Sequence, residues 1–324
     1  MIPYRFHLIW IGRRFPYVNR LAVESLLLAN PGAEAVIHYA DPPSNEHWRS
    51  LETLSRVVFR ELRLDELLEG VPNPEGIRRV LESVSDDYPA GRSNVWRYLV
   101  LNRFGGIYAD FDVLALRSME PLLGERGFVG EELVFKADDE RVQGAPFRAS
   151  MIPEYAAFLA SWGLTRVNSR CLRASRAGEA LSEALSKVWG VRKLNNAVLG
   201  AEAGHPFFRR ALELVPETDP AVRYGLGPIL MNRVWAETGG EGMARLGPEA
   251  FYAVPPSQTH RFFCRHERPM PEGAYLVHWC SSNEKEKAAK LTPEFLDAEP
   301  GERALLVHRL AWRTISGRDA LERG

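Results

Sequence analysis

The amino-acid sequence predicts an α/β protein with a parallel β-sheet and crossover helices. Short apolar runs alternate with helical patterns through residues 5–62, in the order β-α-β-α-β, which is typical of parallel sheets. The chain has 324 residues and is 45% hydrophobic, and a chain of this length buries about 75% of its unfolded surface. No window approaches the ~18 apolar residues of a membrane-spanning helix. We therefore expect a large buried core and no transmembrane segment.

Charge and cysteine content exclude several classes of protein. The 41 Lys and Arg balance 42 Asp and Glu, for a formal net charge of −1, which argues against nucleic acid because such partners need clustered cations. The three cysteines suggest no disulfide framework, and the N-terminus lacks the apolar stretch of a signal peptide. We expect a cytoplasmic protein.

The first elements follow from apolar runs and the residues that end them. Residues 5–11 form an apolar run closed by a glycine, which predicts a buried strand. Residues 16–30 carry apolar side chains at helical spacing and end at Asn-Pro-Gly. Strands are predicted next at 35–40 and 57–62, with a helix at 47–54 between them.

The central part of the chain predicts a buried helix followed by an acidic strand. Residues 77–84 predict a helix, and Pro-Ala-Gly at 89–91 predicts a loop. Residues 92–104 are apolar almost all round, so we expect a buried helix that a Gly-Gly pair ends sharply. Residues 107–113 follow as a strand that contains two acids.

The later part of the chain shows less regular patterns. Strands are predicted at 128–135, 194–199 and 274–280, and helices at 175–188, 205–215, 228–237 and 304–315. Residues 114–190 are otherwise hard to assign. Because no repeat or linker is evident, we expect one domain over 1–324, with an insertion around 114–190 and a C-terminal helix at 300–324.

Two acids in the run Gly-Gly-Ile-Tyr-Ala-Asp-Phe-Asp form the strongest local signal. Asp110 and Asp112 lie at i and i+2, so in a strand both point to the same side. Two such carboxylates repel unless a positive charge lies near them, and Mg²⁺ or Mn²⁺ prefers such oxygen ligands. The alternative is a solvated strand end that happens to carry two acids.

A polar stripe on the preceding helix is the second signal. Arg97 shares a helix face with Asn94 at i−3 and with Ser93 at i−4. A buried guanidinium needs a partner, because an unpaired buried charge is costly. Either Arg97 pairs with Asp110 or Asp112 only to hold the fold, or the stripe and the acids line one pocket.

Trp10 and His278 are weaker candidates. Trp10 lies at the carboxyl end of the first strand, where ligands sit in open α/β sheets, and it could stack on a flat base. Taken alone, core packing is the better interpretation of this Trp. His278 ends a late strand and becomes a metal ligand only if that strand approaches the acids; otherwise it is a satisfied core residue.

These motifs occur in an order that resembles a known family. The matching blocks are HLIWIG at 7–12, AGRSNVWRYLVLNRFGGIYADFD at 90–112, NNAVLGAEAGHPF at 195–207, Gly227-Pro228 and His278-Trp279. They resemble the DXD glycosyltransferases of the sugar-binding-region type, glycosyltransferase family 32. They are also similar to the catalytic domain of the large glucosylating bacterial toxins.

The resemblance implies a GT-A fold, with a mixed, mostly parallel central sheet flanked by helices. It also implies sugar transfer from a nucleotide-diphosphate sugar with retention of configuration, and Mn²⁺ or Mg²⁺ as cofactor. A UDP-sugar is the favoured donor and a GDP-sugar the alternative, while the acceptor is not readable. The implied site residues are Asp110, Asp112 and Arg97 for catalysis, Trp10, Gly12, Asn94, Arg97 and Asp110 for the nucleotide sugar, and Asp110, Asp112 and His278 for the metal.

The resemblance also implies a role for each of these residues in binding the metal and the nucleotide sugar. Asp112 would ligate the metal directly, and Asp110 would contact the ribose or a metal-bound water. Trp10 would stack on the base, and Arg97 would contact the sugar or the diphosphate.

The sequence departs from the family pattern at two places. Asn94 stands where the family usually has Asp, and Asn283 follows Ser281-Ser282 where the family often shows Ser-Trp. An Asn offers one acceptor and two N–H donors and carries no charge. We hypothesise that the preferred donor is an N-acetylated or deoxy sugar and not plain UDP-glucose.

Other interpretations remain open from the residues alone. A haloacid-dehalogenase-type phosphatase would use Asp110 as nucleophile and Asp112 as general acid, but such acids normally lie near the chain start. A non-catalytic nucleotide-sugar-binding protein is the other alternative. His260, Cys264, His266 and Cys280 would form only an irregular zinc set. The helix at 304–315 could lie on an anionic membrane, although packing against the domain is favoured.

Overall fold

The fold is described from a computed structural model, which describes residues 1–85, 89–136, 149–170, 176–264, 270–279, 285–301, 304–318 and 321. In this part of the chain the strands are β1 (Arg5–Trp10), β2 (Glu34–Tyr39), β3 (Val57–Glu61), β4 (Gly106–Ala109), β5 (Val113–Ala115), β6 (Gly127–Phe135), β7 (Gly190–Ala201), β8 (Met243–Leu246) and β9 (Leu276–His278). The helices are α1 (Tyr17–Ala29), α2 (Glu46–Arg49), α3 (Leu64–Leu68), α4 (Pro74–Ser83), α5 (Pro89–Phe104), α6 (Ile152–Arg170), α7 (Arg176–Trp189), α8 (Pro206–Leu214), α9 (Leu230–Thr238), α10 (Pro248–Phe251), α11 (Lys285–Ala288), α12 (Pro293–Leu296) and α13 (Leu306–Ile315).

A seven-stranded sheet in the order β3-β2-β1-β4-β7-β6-β8 forms the centre of the molecule. Strand β1 pairs in parallel with β2 and with β4, and β2 pairs in parallel with β3. Strand β7 runs antiparallel to both β4 and β6, and β8 is parallel to β6. The sheet is therefore mixed and mostly parallel, as the sequence predicts.

Helices pack on both faces of this sheet because β1 is apolar on both sides. Phe6 and Leu8 pack with Leu26 of α1 in one buried cluster. Ile9 packs with Leu99 of α5 in the other. A strand buried on both faces is expected to read as a continuous apolar run, which is how β1 reads.

A second, two-stranded sheet joins β5 to β9. Its strands are antiparallel, with Val113 opposite His278 and Ala115 opposite Leu276. Leu114 and Val277 of this sheet pack against Val307 of α13 in a third buried cluster. This pairing brings a segment near residue 278 to the acids near residue 110.

The predicted strand over 107–113 is wrong. Strand β4 ends at Ala109, and the chain leaves the central sheet before β5 begins at Val113. Asp110 N donates to Ala197 O at 2.9 Å, which is the last backbone link to β7. The two acids therefore lie in a short connection between two sheets.

The predicted loop at 89–91 is also wrong, since α5 begins at Pro89. Proline is tolerated in the first helical turn because its missing N–H has no intrahelical partner there. The segment that was hard to assign contains α6, whereas the helix predicted at 175–188 corresponds to α7. Helix α6 has no simple apolar stripe, and Ile152 and Leu159 are exposed on it.

The C-terminal helix α13 packs against the protein. Leu306, Val307, Leu310 and Ala311 are buried in the third cluster. Arg318, just beyond the helix, donates to Glu24 of α1 at 3.0 Å. These contacts support the packing interpretation of this amphipathic helix. Among the described residues, no helix has the length and apolar character needed to cross a membrane.

Candidate active site

Asp110 and Asp112 flank a buried aromatic residue at the carboxyl end of β4. Phe111 lies between them, is 7% exposed, and packs with its ring centroid 5.2 Å from Phe15 and 5.5 Å from Trp10. The apolar side chain points into the core, whereas both acids keep some exposure, 26% for Asp110 and 16% for Asp112. Burial of the residue between them therefore explains why both acids face the same site without a continuous strand.

His278 joins the two acids through the β5–β9 pairing. Trp279 N donates to Asp112 O at 3.0 Å, and His278 Nε2 lies 3.0 Å from Asp112 Oδ1. One ligand atom from each of Asp110, Asp112 and His278 can be chosen so that all three lie within 4.8 Å of one another. The sequence predicts His278 as a metal ligand only if its strand approaches the acids, and the β5–β9 pairing brings the strand there.

The donor set of this group fits a divalent cation. Ligands at right angles, each about 2.1 Å from an ion, lie about 3.0 Å apart, which matches the His278–Asp112 separation. Carboxylates suit Mg²⁺ and Mn²⁺ alike, whereas imidazole is a ligand of softer transition metals. The described residues thus form a group that could hold a divalent cation.

Arg97 is the charge partner of Asp110. Its Nη2 lies 3.1 Å from Asp110 Oδ1, and its guanidinium also donates to Ser93 O at 3.3 Å and to Asn196 O at 2.5 Å. The Arg97 side chain is only 4% exposed. Its N–H groups are therefore directed to the protein, and it fixes both Asp110 and the backbone of β7.

Tyr108 is a second partner of Asp110, and sequence reasoning did not single it out. Its hydroxyl donates to Asp110 Oδ1 at 2.5 Å, and the Arg97 guanidinium lies 4.5 Å above its ring centroid. Desolvation raises the pKa of Asp110, the Arg97 charge lowers it, and the neighbouring Asp112 charge raises it again. A cation bound between the acids would favour the ionised carboxylate.

Asn94 belongs to a buried hydrogen-bonded network that includes Asn196, whose backbone oxygen accepts from Arg97. Its Oδ1 accepts from Asn196 Nδ2 at 2.9 Å, and Asn196 Nδ2 also donates to Tyr98 Oη at 3.1 Å. Asn94 is 6% exposed and Asn196 5%. The Asn195-Asn196 block was predicted only as a family match and Tyr98 was not predicted, although Tyr98 lies four residues after Asn94 on the same helix face.

Trp10 is the last residue of β1, and its side chain contacts Gly12, two residues further along the chain. Trp10 Nε1 donates to Gly12 O at 2.9 Å, and the Trp10 ring meets Phe15 and Phe111 edge-on. Trp10 remains partly exposed. The ring is thus held in a defined orientation next to the residue that separates the two acids.

The irregular zinc set receives little support. His260 lies in the 3₁₀ segment Pro256–Phe263, Cys264 follows this segment, and both residues are buried. Cys264 Sγ donates to His260 O at 3.5 Å. His266 and Cys280 lie outside the described residues, as do Ser281, Ser282 and Asn283. Within the described part of the chain, the cluster with metal-binding geometry is the Asp-Asp-His group.

Comparison with solved structures finds resemblances at low sequence identity. "PaToxG Glycosyltransferase" is 16% identical, with a TM-score of 0.46 over 74% of this chain and 71% of that one. The galactosyltransferase LgtC in complex with donor and acceptor sugar analogues is 15% identical, with a TM-score of 0.42 over 89% and 96%. GlyE from Streptococcus pneumoniae TIGR4 is 10% identical, with a TM-score of 0.46 over 98% and 62%. No curated protein matches the chain.

A family model matches the part of the chain that carries the acids. Residues 16–129 match the glycosyltransferase sugar-binding region containing DXD motif. This range runs from α1 into β6 and includes Asn94, Arg97, Asp110 and Asp112. The resemblance found in the sequence is confirmed: residues 16–129 of the chain match a glycosyltransferase sugar-binding region that contains a DXD motif.

Proposed function

We propose that the protein transfers a sugar from a UDP-sugar to an acceptor and uses a divalent cation held by Asp110, Asp112 and His278. A GDP-sugar is the alternative donor. The observation that carries this proposal is the convergence of the three side chains inside and beside the DXD region. In glycosyl transfer the leaving nucleoside diphosphate builds negative charge on phosphate oxygens, which a bound Mn²⁺ or Mg²⁺ would stabilise.

Asp112 and His278 are the proposed direct ligands. Their facing atoms are 3.0 Å apart and both side chains are largely buried, so little reorganisation is needed for both to bind one ion. The imidazole favours Mn²⁺ over Mg²⁺, because Mg²⁺ prefers oxygen ligands.

Asp110 completes the group and is positioned by two donors. Tyr108 and Arg97 both donate to its carboxylate, which limits its rotation. We propose that Asp110 binds the ion or the ribose. In this proposal Arg97 acts through Asp110 and through the fixed positive charge that it adds to a dry site.

Trp10 and Gly12 are proposed to bind the nucleotide. The indole is partly exposed, its N–H donates to Gly12 O, and its ring makes T-shaped contacts with Phe15 and Phe111. An indole held in this way is suited to stack on a base. Retention of configuration is proposed from the family resemblance alone.

A thermal-shift screen tests the proposed function. UDP, GDP and their sugars should be screened with Mn²⁺, with Mg²⁺ and with EDTA, because a ligand raises the melting temperature only if it binds the folded state. We expect stabilisation by UDP and UDP-sugars that requires the cation. No stabilisation by any nucleotide under any condition would contradict the proposal.

Turnover separates an enzyme from a binding protein. Release of UDP from a UDP-sugar, by hydrolysis or by transfer, would support catalysis. Cation-dependent stabilisation without release of UDP in the presence of candidate acceptors would favour the non-catalytic alternative. The family match argues against the phosphatase alternative. A failure to hydrolyse a generic phosphoester would also exclude that alternative.

A further inference from the structure

A chain of hydrogen bonds leads from a backbone carbonyl to the Asn94 side chain. Tyr98 Oη donates to Leu226 O at 3.1 Å, within the kinked Gly225–Ile229 segment. Asn196 Nδ2 donates to Tyr98 Oη at 3.1 Å and to Asn94 Oδ1 at 2.9 Å. All three side chains are at least nine-tenths buried, so each polar atom needs a defined partner.

The direction of the protons in this chain follows from its first member. A carbonyl oxygen can only accept, so Tyr98 donates its single hydroxyl hydrogen to Leu226 O. Burial raises the pKa of Tyr98 well above its ordinary value, so the hydroxyl keeps that hydrogen. The Tyr98 oxygen must then accept, which turns the amide nitrogen of Asn196 toward it. The second N–H of Asn196 donates to Asn94, so the Asn94 side-chain oxygen must be the acceptor.

Asn94 is thereby oriented with its amide nitrogen away from Asn196. In the described residues no hydrogen bond from Asn94 Nδ2 is found, although the residue is only 6% exposed. A Cβ atom added at Gly227 would lie 2.9 Å from Asn94 Nδ2 and 3.3 Å from Asn196 Nδ2. Glycine at this position therefore leaves room beside an N–H donor that the protein does not use.

Asn196 and Arg97 link Asn94 to the candidate metal group. Arg97, one turn along α5 from Asn94, donates to Asn196 O and pairs with Asp110. The same β7 residue thus orients the Asn94 amide with its side chain and anchors Arg97 with its carbonyl. A ligand whose diphosphate lies at the acids would bring its sugar near this end of α5.

We propose that Asn94 presents an N–H donor to the transferred sugar, and that the protein selects a donor sugar with an acetamido carbonyl at that position. This inference rests on the proposed function, because it assumes that the site binds a nucleotide sugar. An Asp at position 94 would accept two hydrogen bonds and would favour a sugar hydroxyl that donates. The Asn94 N–H groups instead need an acceptor, and the carbonyl oxygen of an acetamido group can only accept. Tyr98 and Asn196 are positioning residues for this selection.

The test compares UDP-N-acetylglucosamine and UDP-N-acetylgalactosamine with UDP-glucose, UDP-galactose and UDP, by isothermal titration with Mn²⁺. One neutral hydrogen bond corresponds to a preference of about threefold to tenfold. We expect the wild type to prefer the acetamido donors by this factor. In Asn94→Asp the preference should disappear or reverse while UDP affinity stays within about twofold. The matched control, Asn102→Asp on the same helix, should keep the wild-type preference.

A second variant separates selection from structure. Tyr98→Phe removes the hydroxyl that fixes the Asn196 amide, so both orientations of Asn94 become accessible. We expect the ratio of affinities to fall toward one with UDP affinity retained, whereas Tyr275→Phe should change neither. Equal affinity of the wild type for acetamido and hydroxyl donors, or an unchanged ratio in Asn94→Asp, would overturn the inference alone. Failure of UDP itself to bind would overturn it together with the proposed UDP-dependent function.

Discussion

His278 Nε2 lies 3.0 Å from Asp112 Oδ1, although 166 positions separate the two residues in the chain. The contact exists because β9 pairs with β5 directly after the acids. A hydrogen-bonded pair of this kind can stabilise the fold without a metal, so a change in metal affinity is the measurement that assigns His278 to a metal site.

His278→Ala should weaken Mn²⁺ binding by at least about tenfold, since a ligand is lost and even indirect partners of metal ligands are worth 10–100-fold. Titration of the protein with Mn²⁺ alone measures this without reliance on activity. His47→Ala, a histidine on α2, is the control and should bind as the wild type does. A lower melting temperature with unchanged Mn²⁺ affinity would show that His278 only pairs with Asp112.

Asp112→Ala should abolish sugar transfer and leave the fold intact. The Asp112 side chain is 16% exposed, and cation-assisted charge stabilisation contributes several kcal/mol to such reactions. Glu52→Ala, at an exposed acid, should retain full activity. Full activity of Asp112→Ala, or activity that persists in excess EDTA, is incompatible with a metal-dependent site.

Trp10→Ala should lower UDP affinity by about tenfold to a hundredfold, the usual worth of one base stacked on an aromatic ring. Some loss of stability is expected too, because Trp10 meets Phe15 and Phe111 edge-on. Trp10→Phe keeps a stacking surface and should recover part of the affinity. If both variants bind UDP normally while the melting temperature falls, Trp10 is a packing residue only.

Gly227→Ala should impair donor binding more than stability. The new Cβ would lie 2.9 Å from Asn94 Nδ2 and would force this amide to shift. Gly124→Ala is the control, because nothing lies within 4 Å of a Cβ there. Unchanged affinity for UDP-sugars in Gly227→Ala would show that the amide does not contact the donor.

Acidification should destabilise the protein through a buried histidine pair outside the site. His7 Nδ1 lies 2.9 Å from His38 Nε2, and both residues are 1% exposed. Burial lowers the pKa of His7 to about 3, and it lowers the pKa of His38 well below 6.5, with the Arg5 and Arg60 charges adding to the effect.

The sign follows from proton uptake by the unfolded chain. Between pH 6.5 and about 3 the unfolded histidines bind protons and the folded His7 does not. The free energy of unfolding is therefore fully retained above pH 6.5 and falls on acidification by about 1.4 kcal/mol per pH unit for each such histidine. Urea unfolding from pH 7.5 to 4.5 measures this slope. His38→Gln should show a shallower slope, and an equal slope would assign the effect to carboxylates.

Much of the central sheet could be read from the order of apolar runs. Strands β1, β2 and β3 and helix α1 were predicted within one or two residues, because a buried parallel strand must be apolar on both faces. The apolar run that leads into Asp110, and the i,i+3 relation of Asn94 and Arg97, are local properties. They followed from the sequence by strand and helix geometry alone.

What only the tertiary structure decided is which distant groups meet. The continuous strand predicted through Asp112 was wrong because pairing of Val113 with His278 in a second sheet outweighs continuation beside β7. The Tyr108–Asp110 contact and the orientation of Asn94 by Asn196 and Tyr98 depend on partners from separate elements. The sequence by itself determined the α/β sheet, the DXD region and the candidate residues, because short-range periodicity carries that information. The closure of the Asp-Asp-His group and the direction of each hydrogen bond arise only when the strands pair.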